Sequence, residues 1–139
     1  MDTLNPELLI SAYAQGVFPM AEPDGRIYWY APDPRAIIPL DRFHVPRRLA
    51  RTVRSGRYQV SSDQAFRQVM AACAAPRPGR ETTWIGASFL ESYAILHELG
   101  FAHSVEAWQN GELVGGLYGV ALGGLFAGES MFSLERDAS

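Results

Sequence analysis

The sequence predicts an α+β fold for a chain of 139 residues, of which 47% are hydrophobic. Two segments with helical periodicity, at positions 61–74 and 88–99, precede segments in which polar and apolar residues alternate. Asn110-Gly111, a pair typical of a β-hairpin turn, separates two of the alternating segments. Helices followed by paired strands indicate a mixed or antiparallel sheet with flanking helices, preceded by a small N-terminal α/β segment.

The N-terminal segment is predicted to contain one helix and several short extended pieces. Asn5 is the expected N-cap of the helix, and Gly16 is expected to end it. A proline favours extended backbone at 17–20, and aromatic residues favour a strand at 27–30. We also expect a short edge strand at 36–39, where a proline follows three apolar residues.

Each later helix is predicted to begin with a capping box, in which a serine and a Glu or Gln three residues later satisfy the first backbone amides. Ser61 with Gln64 forms the first of these pairs, and Ser88 with Glu91 forms the second. The strands expected around these helices lie at 57–60, 103–108, 113–122 and 125–132.

Composition excludes several classes of protein. The apolar stretches are shorter than the roughly 18 residues of a membrane span, and no basic run precedes a hydrophobic stretch at the N-terminus. Cys73 is the single cysteine, and the three histidines lack metal-ligand spacing. We therefore expect a cytoplasmic protein that holds no metal. Residues 137–139 have the composition of a helix start, so we expect the fold to be incomplete at its C-terminus.

Charge is distributed unevenly along the chain, although the net charge is only −3. All 12 basic side chains are arginines; nine lie in 42–80 with one acid, whereas 81–139 contains eight acids and one arginine. Guanidinium groups bind phosphate oxygens through paired hydrogen bonds, so the basic segment predicts contact with nucleic acid or another polyanion. The alternative interpretation is that these arginines form the solvated face of a helix and contact no polyanion. The candidate phosphate-binding residues are Arg47, Arg48, Arg51 and Arg54.

The strand-forming part of the chain contains two further unusual features. The run at 115–124 has five glycines but lacks the spacing of a dinucleotide or P-loop fingerprint, so it indicates a bulge or a close approach of another backbone or a ligand. Glu106 and Glu129 are acids in otherwise apolar strands. Because a buried carboxylate is costly unless it is paired, each of them faces solvent, pairs with a cation or serves a site.

Seven segments stand in a fixed order along the chain. They are AYAQGVFP at 12–19, WYAPDPR at 29–35, TWI at 83–85, LHELG at 96–100, HSVEAW at 103–108, LVGGLYGV at 113–120 and GESMFS at 128–133. In this order the chain resembles one family, the bacterial leucyl/phenylalanyl-tRNA–protein transferases. The resemblance extends over nearly the whole sequence.

The resemblance implies an enzyme that moves Leu, and also Phe or Met, from charged tRNA to proteins that begin with Arg or Lys, which then enter the N-degron pathway. It implies no cofactor. It also implies a small domain at 1–60 and a domain similar to the N-acetyltransferases at 61–139. By motif, the substrate-binding residues are Tyr13, Trp84, Tyr93, Leu117, Phe126 and Met131, and Glu129 is the catalytic residue near the acceptor site.

The chain departs from the family pattern in two places. Met20 stands where an aromatic residue usually follows Phe-Pro, and the family's catalytic Asp and Gln belong to a strand beyond Ser139. The alternatives are an acyl-CoA-dependent N-acyltransferase, whose pyrophosphate loop is missing after Leu122, and an inactive tRNA-binding fragment. In the preferred interpretation, the arginines flank an apolar cavity edged by Trp84 and Glu129.

Overall fold

A computed structural model describes residues 4–139. The helices are α1 (Pro6–Ala14), α2 (Arg47–Arg54), α3 (Phe66–Ala74) and α4 (Ala87–Glu98), with a 3-10 turn at Leu40–Arg42. The strands are β1 (Phe18–Ala21), β2 (Ile27–Tyr30), β3 (Gln59–Ser62), β4 (Ala102–Gln109), β5 (Glu112–Leu122) and β6 (Leu125–Ser133). β1 and β2 form one antiparallel pair, and β3-β4-β5-β6 form an antiparallel sheet in that order. The predicted α+β class is confirmed.

The main core lies between one face of the four-stranded sheet and the helices α1, α3 and α4. Tyr118 of β5 and Phe132 of β6 pack in one cluster with Phe66 of α3 and Phe89 of α4, and all four side chains are at least 96% buried. Burial of one such side chain contributes roughly 1.5–3 kcal/mol. No helix within residues 4–139 combines the length and apolar character needed to cross a bilayer.

The first elements follow local sequence signals in most places. Asn5 caps α1, because its side-chain oxygen accepts a hydrogen bond from the backbone N–H of Glu7 at 2.8 Å. Gly16 follows the helix with a φ of +77°, which is the left-handed conformation that glycine favours. The predicted strand at 36–39 is wrong. Those residues have no strand partner, and Ile37 is 72% exposed.

Both predicted capping boxes are wrong. The strand predicted at 57–60 lies at Gln59–Ser62, so Ser61 belongs to β3 and does not precede a helix. The Ser61 hydroxyl donates to the Glu106 carboxylate at 2.6 Å. The first helical residue of α3 is Phe66, which follows Ser61 by five positions. α4 also lacks a side-chain cap, and Glu91 pairs with Arg67 of α3 at 3.0 Å. Two side chains of the predicted capping boxes, Ser61 and Glu91, therefore bond to residues that are distant in sequence.

Glu106 is the group that replaces the missing cap of α3. Its side chain is fully buried, and its Oε1 accepts hydrogen bonds from the backbone N–H of Ala65 at 3.1 Å and the hydroxyl of Ser104 at 2.5 Å. With the bond from Ser61 to its Oε2, the carboxylate joins β3, β4 and the first turn of α3. This acid of the sheet therefore has a structural role.

Close backbone approach explains the glycines of β5. A Cβ at Gly119 would lie 2.3 Å from the carbonyl oxygen of Ala127, and a Cβ at Gly115 would lie 1.8 Å from the carbonyl oxygen of Ala138. The prediction that this run marks a bulge or a close approach is confirmed. Position 60, the predicted boundary between two domains, falls within β3, and the division into two domains stays a prediction.

Candidate active site

A β-bulge in the pairing of β5 with β6 sets the position of Glu129. Tyr118 pairs with Ser130, and the next pair along the strands is Gly119 with Gly128. Glu129 is the extra residue between these two pairs. A bulge redirects a side chain out of the regular alternation of a strand and is common next to active sites. The Glu129 carboxyl consequently lies near tyrosines from the helices that cover the sheet.

Two of these tyrosines form a hydrogen-bonded pair. The hydroxyls of Tyr13 on α1 and Tyr93 on α4 are 2.6 Å apart, and both side chains are buried. Their rings meet edge to face with centroids 6.5 Å apart. The Tyr13 hydroxyl also lies beside the Glu129 carboxyl. The pair therefore supplies hydroxyl groups to a carboxyl that is largely removed from water.

Burial raises the pKa of Glu129 to about 7, from an ordinary value of 4.5. The Tyr13 hydroxyl and the Arg35 guanidinium act in the opposite direction, because each stabilises the ionised carboxylate. Burial also raises the pKa values of Tyr13 and Tyr93, which keeps both hydroxyls protonated near neutral pH. A carboxyl that titrates near pH 7 can both accept and release a proton under cellular conditions.

Replacing Glu129 with Gln is expected to change how stability depends on pH. In the wild type, the folded chain retains the proton of Glu129 up to about pH 7, whereas the unfolded chain loses it near pH 4.5, so ionisation lowers the free energy of unfolding as pH rises through this interval. The Glu129→Gln variant has no ionisable group at this position, so its free energy of unfolding does not fall in this way as pH rises. From pH 5 to pH 8 the variant should gain about 2 kcal/mol relative to wild type in urea unfolding experiments. Equal pH dependence in the two proteins would contradict the raised pKa.

Trp84 is joined to this cluster through the aromatic side chains of α4. Its ring meets Phe89 edge to face at 5.5 Å, and Phe89 stacks on Tyr93 at 6.0 Å. Trp84 is half-buried, whereas Phe89 and Tyr93 have no exposed surface. Four of the predicted site residues are thus brought to the helix-covered side of the sheet: Tyr13, Trp84, Tyr93 and Glu129.

The other three predicted substrate residues lie on the opposite face of β5 and β6. Leu117 and Met131 are register partners, so their side chains share one face, and neighbouring Tyr118 points into the core. The ring of Phe126 lies at the position that a Cβ on Gly119 would approach, two residues along β5 from Leu117. The strand alternation therefore separates the aliphatic members of the predicted set from the tyrosines.

An apolar groove of about 220 Å³ runs between α2 and this second face of the sheet. Leu49 and Val53 line it from α2, Val105 and Leu117 line it from the sheet, and residues 137–139 border it. Leu117 is therefore the predicted site residue that lines the cavity beside α2. Trp84 and Glu129, which the sequence placed at its edge, lie on the other side of β5, because adjacent strand residues face opposite ways.

The arginines of α2 are not among the residues that line the groove, although Arg48 contacts Asp137 at its border. Arg47, Arg48, Arg51 and Arg54 lie on this helix, and all four are exposed. The exposed Arg48 lies 3.5 Å from Asp137, whereas within residues 4–139 the other three arginines have no acidic partner within 4 Å. α2 itself contains no acid. Three guanidinium groups are therefore available to bind an anion.

Two residues near Glu129, Arg35 and Tyr118, are not among the predicted site residues. Arg35 follows the proline-rich turn; its guanidinium lies 4.9 Å from the Phe18 ring centre and donates to the Gly16 carbonyl oxygen at 3.3 Å. Tyr118 lies in the core beside the bulge. Strand alternation could have predicted that Tyr118 faces inward, whereas no local pattern predicts the bulge. In the described part of the chain, no three His, Cys, Asp or Glu residues are placed to hold a metal ion.

Comparison with known families covers almost the whole chain. Residues 37–139 match the model of the leucyl/phenylalanyl-tRNA protein transferase family, and residues 2–33 match the model of that family's N-terminal domain. These matches confirm the family predicted from the seven sequence segments.

Three relatives named leucyl/phenylalanyl-tRNA–protein transferase show the degree of similarity. The protein of Herpetosiphon aurantiacus is 62% identical over 137 residues, which are 98% of this chain and 69% of the relative. The proteins of Rhodopseudomonas palustris and Novosphingobium aromaticivorans are 59% and 57% identical over 98% and 96% of this chain. The chain spans 60% and 52% of the length of these two relatives. On these matches, the chain belongs to the leucyl/phenylalanyl-tRNA protein transferase family.

Proposed function

We propose that this chain acts in an aminoacyl-tRNA–protein transferase. It moves Leu, and also Phe or Met, from charged tRNA to the α-amine of proteins that begin with Arg or Lys. The reaction takes place in the cytoplasm, needs no cofactor and feeds the N-degron degradation pathway. Membership of the family supports the reaction class.

The arginines of α2 are the observation that carries the tRNA part of this proposal. Four exposed guanidinium groups lie within eight residues, with no acid on the same helix. Leu49 and Val53 of α2 border the groove, and the helical spacing of the four arginines places them together on another side of the helix. Such a surface suits the phosphate backbone of a folded RNA, to which arginine donates two parallel hydrogen bonds.

Glu129 is the residue we propose for the transfer step. The amine nitrogen of the acceptor attacks the ester carbonyl carbon of the aminoacyl-tRNA. A C–N bond forms, and the C–O bond to the terminal ribose breaks. The amine loses one proton, and the departing ribose oxygen gains one. A carboxyl with a pKa of about 7 is suited to relay that proton, and the acceptor amine, with a pKa near 8, is partly neutral at cellular pH.

The remaining substrate-binding assignments follow the two faces of the sheet. We propose that the aromatic group, which shares the helix-covered side of the sheet with Glu129, holds the aminoacyl end and the terminal adenosine. The apolar group faces the other side of the sheet, so we propose that it contacts a part of the substrate away from the reacting atoms. The apolar group comprises Leu117, Phe126 and Met131, and the aromatic group comprises Tyr13, Trp84 and Tyr93. The excess of acids in 81–139 suits a cationic acceptor N-terminus. In this proposal, residues 1–60 form the small domain and residues 61–139 the domain similar to the N-acetyltransferases.

The test of the tRNA surface is a variant in which Arg47, Arg48, Arg51 and Arg54 are all changed to Gln. If each arginine neutralises one phosphate, the slope of log affinity against log salt concentration should become shallower by about 3. Binding of leucyl-tRNA, measured by filter binding at several salt concentrations, checks this value.

A matched pair of single variants controls for net charge. Arg51→Gln and Arg26→Gln each remove one exposed arginine, but Arg26 lies near the β1–β2 turn and not on α2. Only Arg51→Gln should weaken binding. Unchanged binding by the four-arginine variant would overturn the proposed tRNA surface.

A transfer assay separates the proposed enzyme from its two alternatives. Radiolabelled leucyl-tRNA is supplied with a peptide that begins with Arg, and a parallel reaction supplies acetyl-CoA. Transfer from leucyl-tRNA alone supports the proposal, and transfer from acetyl-CoA identifies an acyl-CoA-dependent N-acyltransferase. Binding of tRNA without either transfer identifies an inactive tRNA-binding fragment.

A further inference from the structure

The hydroxyl of Tyr118 is buried without a hydrogen-bond partner. Within residues 4–139 it is the one fully buried side-chain nitrogen or oxygen in this condition. The neighbouring tyrosines differ, because Tyr13 and Tyr93 bond to each other. A phenylalanine would fill the same space without leaving a donor unsatisfied, so the hydroxyl is unfavourable in this state of the molecule. A buried hydroxyl without a partner indicates that it makes a hydrogen bond in another state of the molecule.

The Tyr118 hydroxyl lies near the Glu129 carboxyl, and packing fixes the orientation of its ring. The ring of Tyr118 meets Phe66 edge to face at 5.9 Å and Tyr93 at 6.2 Å, so it cannot turn away without disrupting the core. Tyr118 also belongs to the last regular pair before the bulge that Glu129 occupies. The side chain opposite the bulge is therefore a phenol with a free donor.

The groups that face this carboxyl come from several elements. Tyr13 of α1 and Tyr93 of α4 supply hydroxyls, Cys73 of α3 lies near the Tyr118 hydroxyl, and Arg35 supplies a cation. Burial keeps the hydroxyl of Tyr118 protonated, so it can donate but does not ionise near neutral pH. An ionised carboxylate accepts more hydrogen bonds than a neutral carboxyl, and an added donor favours its charged form.

We propose that Tyr118 is a positioning residue for Glu129, whose hydroxyl donates a hydrogen bond to the Glu129 carboxylate once that carboxylate has lost its proton. The neutral carboxyl is a weak acceptor for the phenol, whereas the ionised carboxylate accepts a stronger, charge-assisted hydrogen bond from it. The contact holds the carboxylate in one orientation while it receives a proton from the acceptor amine. That last role rests on the proposed function, whereas the contact between the two side chains does not.

The test is a titration of Glu129 in the Tyr118→Phe variant. Carbon-13 NMR of the labelled glutamate carboxyl, assigned by its loss in Glu129→Gln, gives the pKa directly. Removal of the donor should raise the pKa of Glu129 by about one unit, because the ionised form loses a hydrogen bond. Thermal unfolding should show that the variant is at least as stable as wild type at pH 5 and less stable at pH 8.

A matched variant and a kinetic measurement separate the possible outcomes. Tyr28→Phe removes an exposed phenol on β2 and should leave the Glu129 titration unchanged. An unchanged or lowered pKa in Tyr118→Phe would overturn the inference, as would stabilisation by the same amount at both pH values. The titration needs no transfer activity, so it tests the contact between Tyr118 and Glu129 even if the proposed function is wrong. Where transfer is measured, the rise of its rate with pH should move upward with the pKa.

Discussion

Replacing Glu106 with Gln is expected to lower the free energy of unfolding by about 3 kcal/mol. The carboxylate accepts three hydrogen bonds, from the hydroxyls of Ser61 and Ser104 and from the backbone N–H of Ala65, and none of its surface is exposed. A glutamine places an NH2 group where one oxygen accepts. The glutamine oxygen can still accept from Ala65 and Ser104, but the NH2 group then faces the Ser61 hydroxyl, which must turn to accept and leaves its own proton without this acceptor. The charge that strengthens all three hydrogen bonds is also lost. The cap of α3 also becomes a neutral acceptor, which is weaker than a carboxylate.

Urea unfolding of the Glu106→Gln variant measures this loss. Glu112→Gln is the matched control, because Glu112 is also a strand glutamate but lies exposed at the start of β5. The control should change stability by less than about 0.5 kcal/mol. Similar effects of the two substitutions would mean that the buried hydrogen bonds of Glu106 do not hold α3 to the sheet.

Gly119→Ala is expected to be at least as damaging, with a loss of about 3 kcal/mol or more. The added Cβ would lie 2.3 Å from the carbonyl oxygen of Ala127 and 2.6 Å from the ring of Phe126. The ring can move, but the carbonyl belongs to the paired strand. Relief of the clash requires β5 and β6 to separate next to the bulge, so the variant should also disturb the titration of Glu129.

Gly124→Ala is the control for this substitution. Gly124 precedes β6, has no atom within 4 Å of the added Cβ and does not have the left-handed backbone that would strain an alanine. Thermal and urea unfolding should show a large loss for Gly119→Ala and little change for Gly124→Ala. Comparable stability of the two variants would contradict the close approach of β5 and β6.

Elements specified by neighbouring residues could be predicted from sequence. Asn5 caps α1 through a residue two positions away, and Asn110 and Gly111 both adopt the positive φ values that their hairpin turn requires. The starts of the later helices could not be predicted in this way. Ser61 bonds to Glu106, 45 positions away, and that partner becomes available only when β3 pairs with β4.

The candidate site shows the same division. Glu129 and Tyr13 could be selected as candidates from residue type and motif, but their proximity depends on the bulge. Leu117 and Tyr118 are adjacent in sequence, yet one lines the groove and the other is buried in the core. Strand alternation predicts that they face opposite ways. Which face the helices cover is a property of the assembled sheet.

The sequence by itself determined the family, the fold class and a strongly basic segment, because these depend on residue identity, order and charge. The tertiary structure decided that Glu106 is a structural acid and that Glu129 lies among tyrosines. It also showed that the basic helix borders a groove lined by Leu117. The physical reason is that burial, hydrogen bonding and pKa depend on atoms brought together from distant positions. Local patterns in a chain carry little information about those distances.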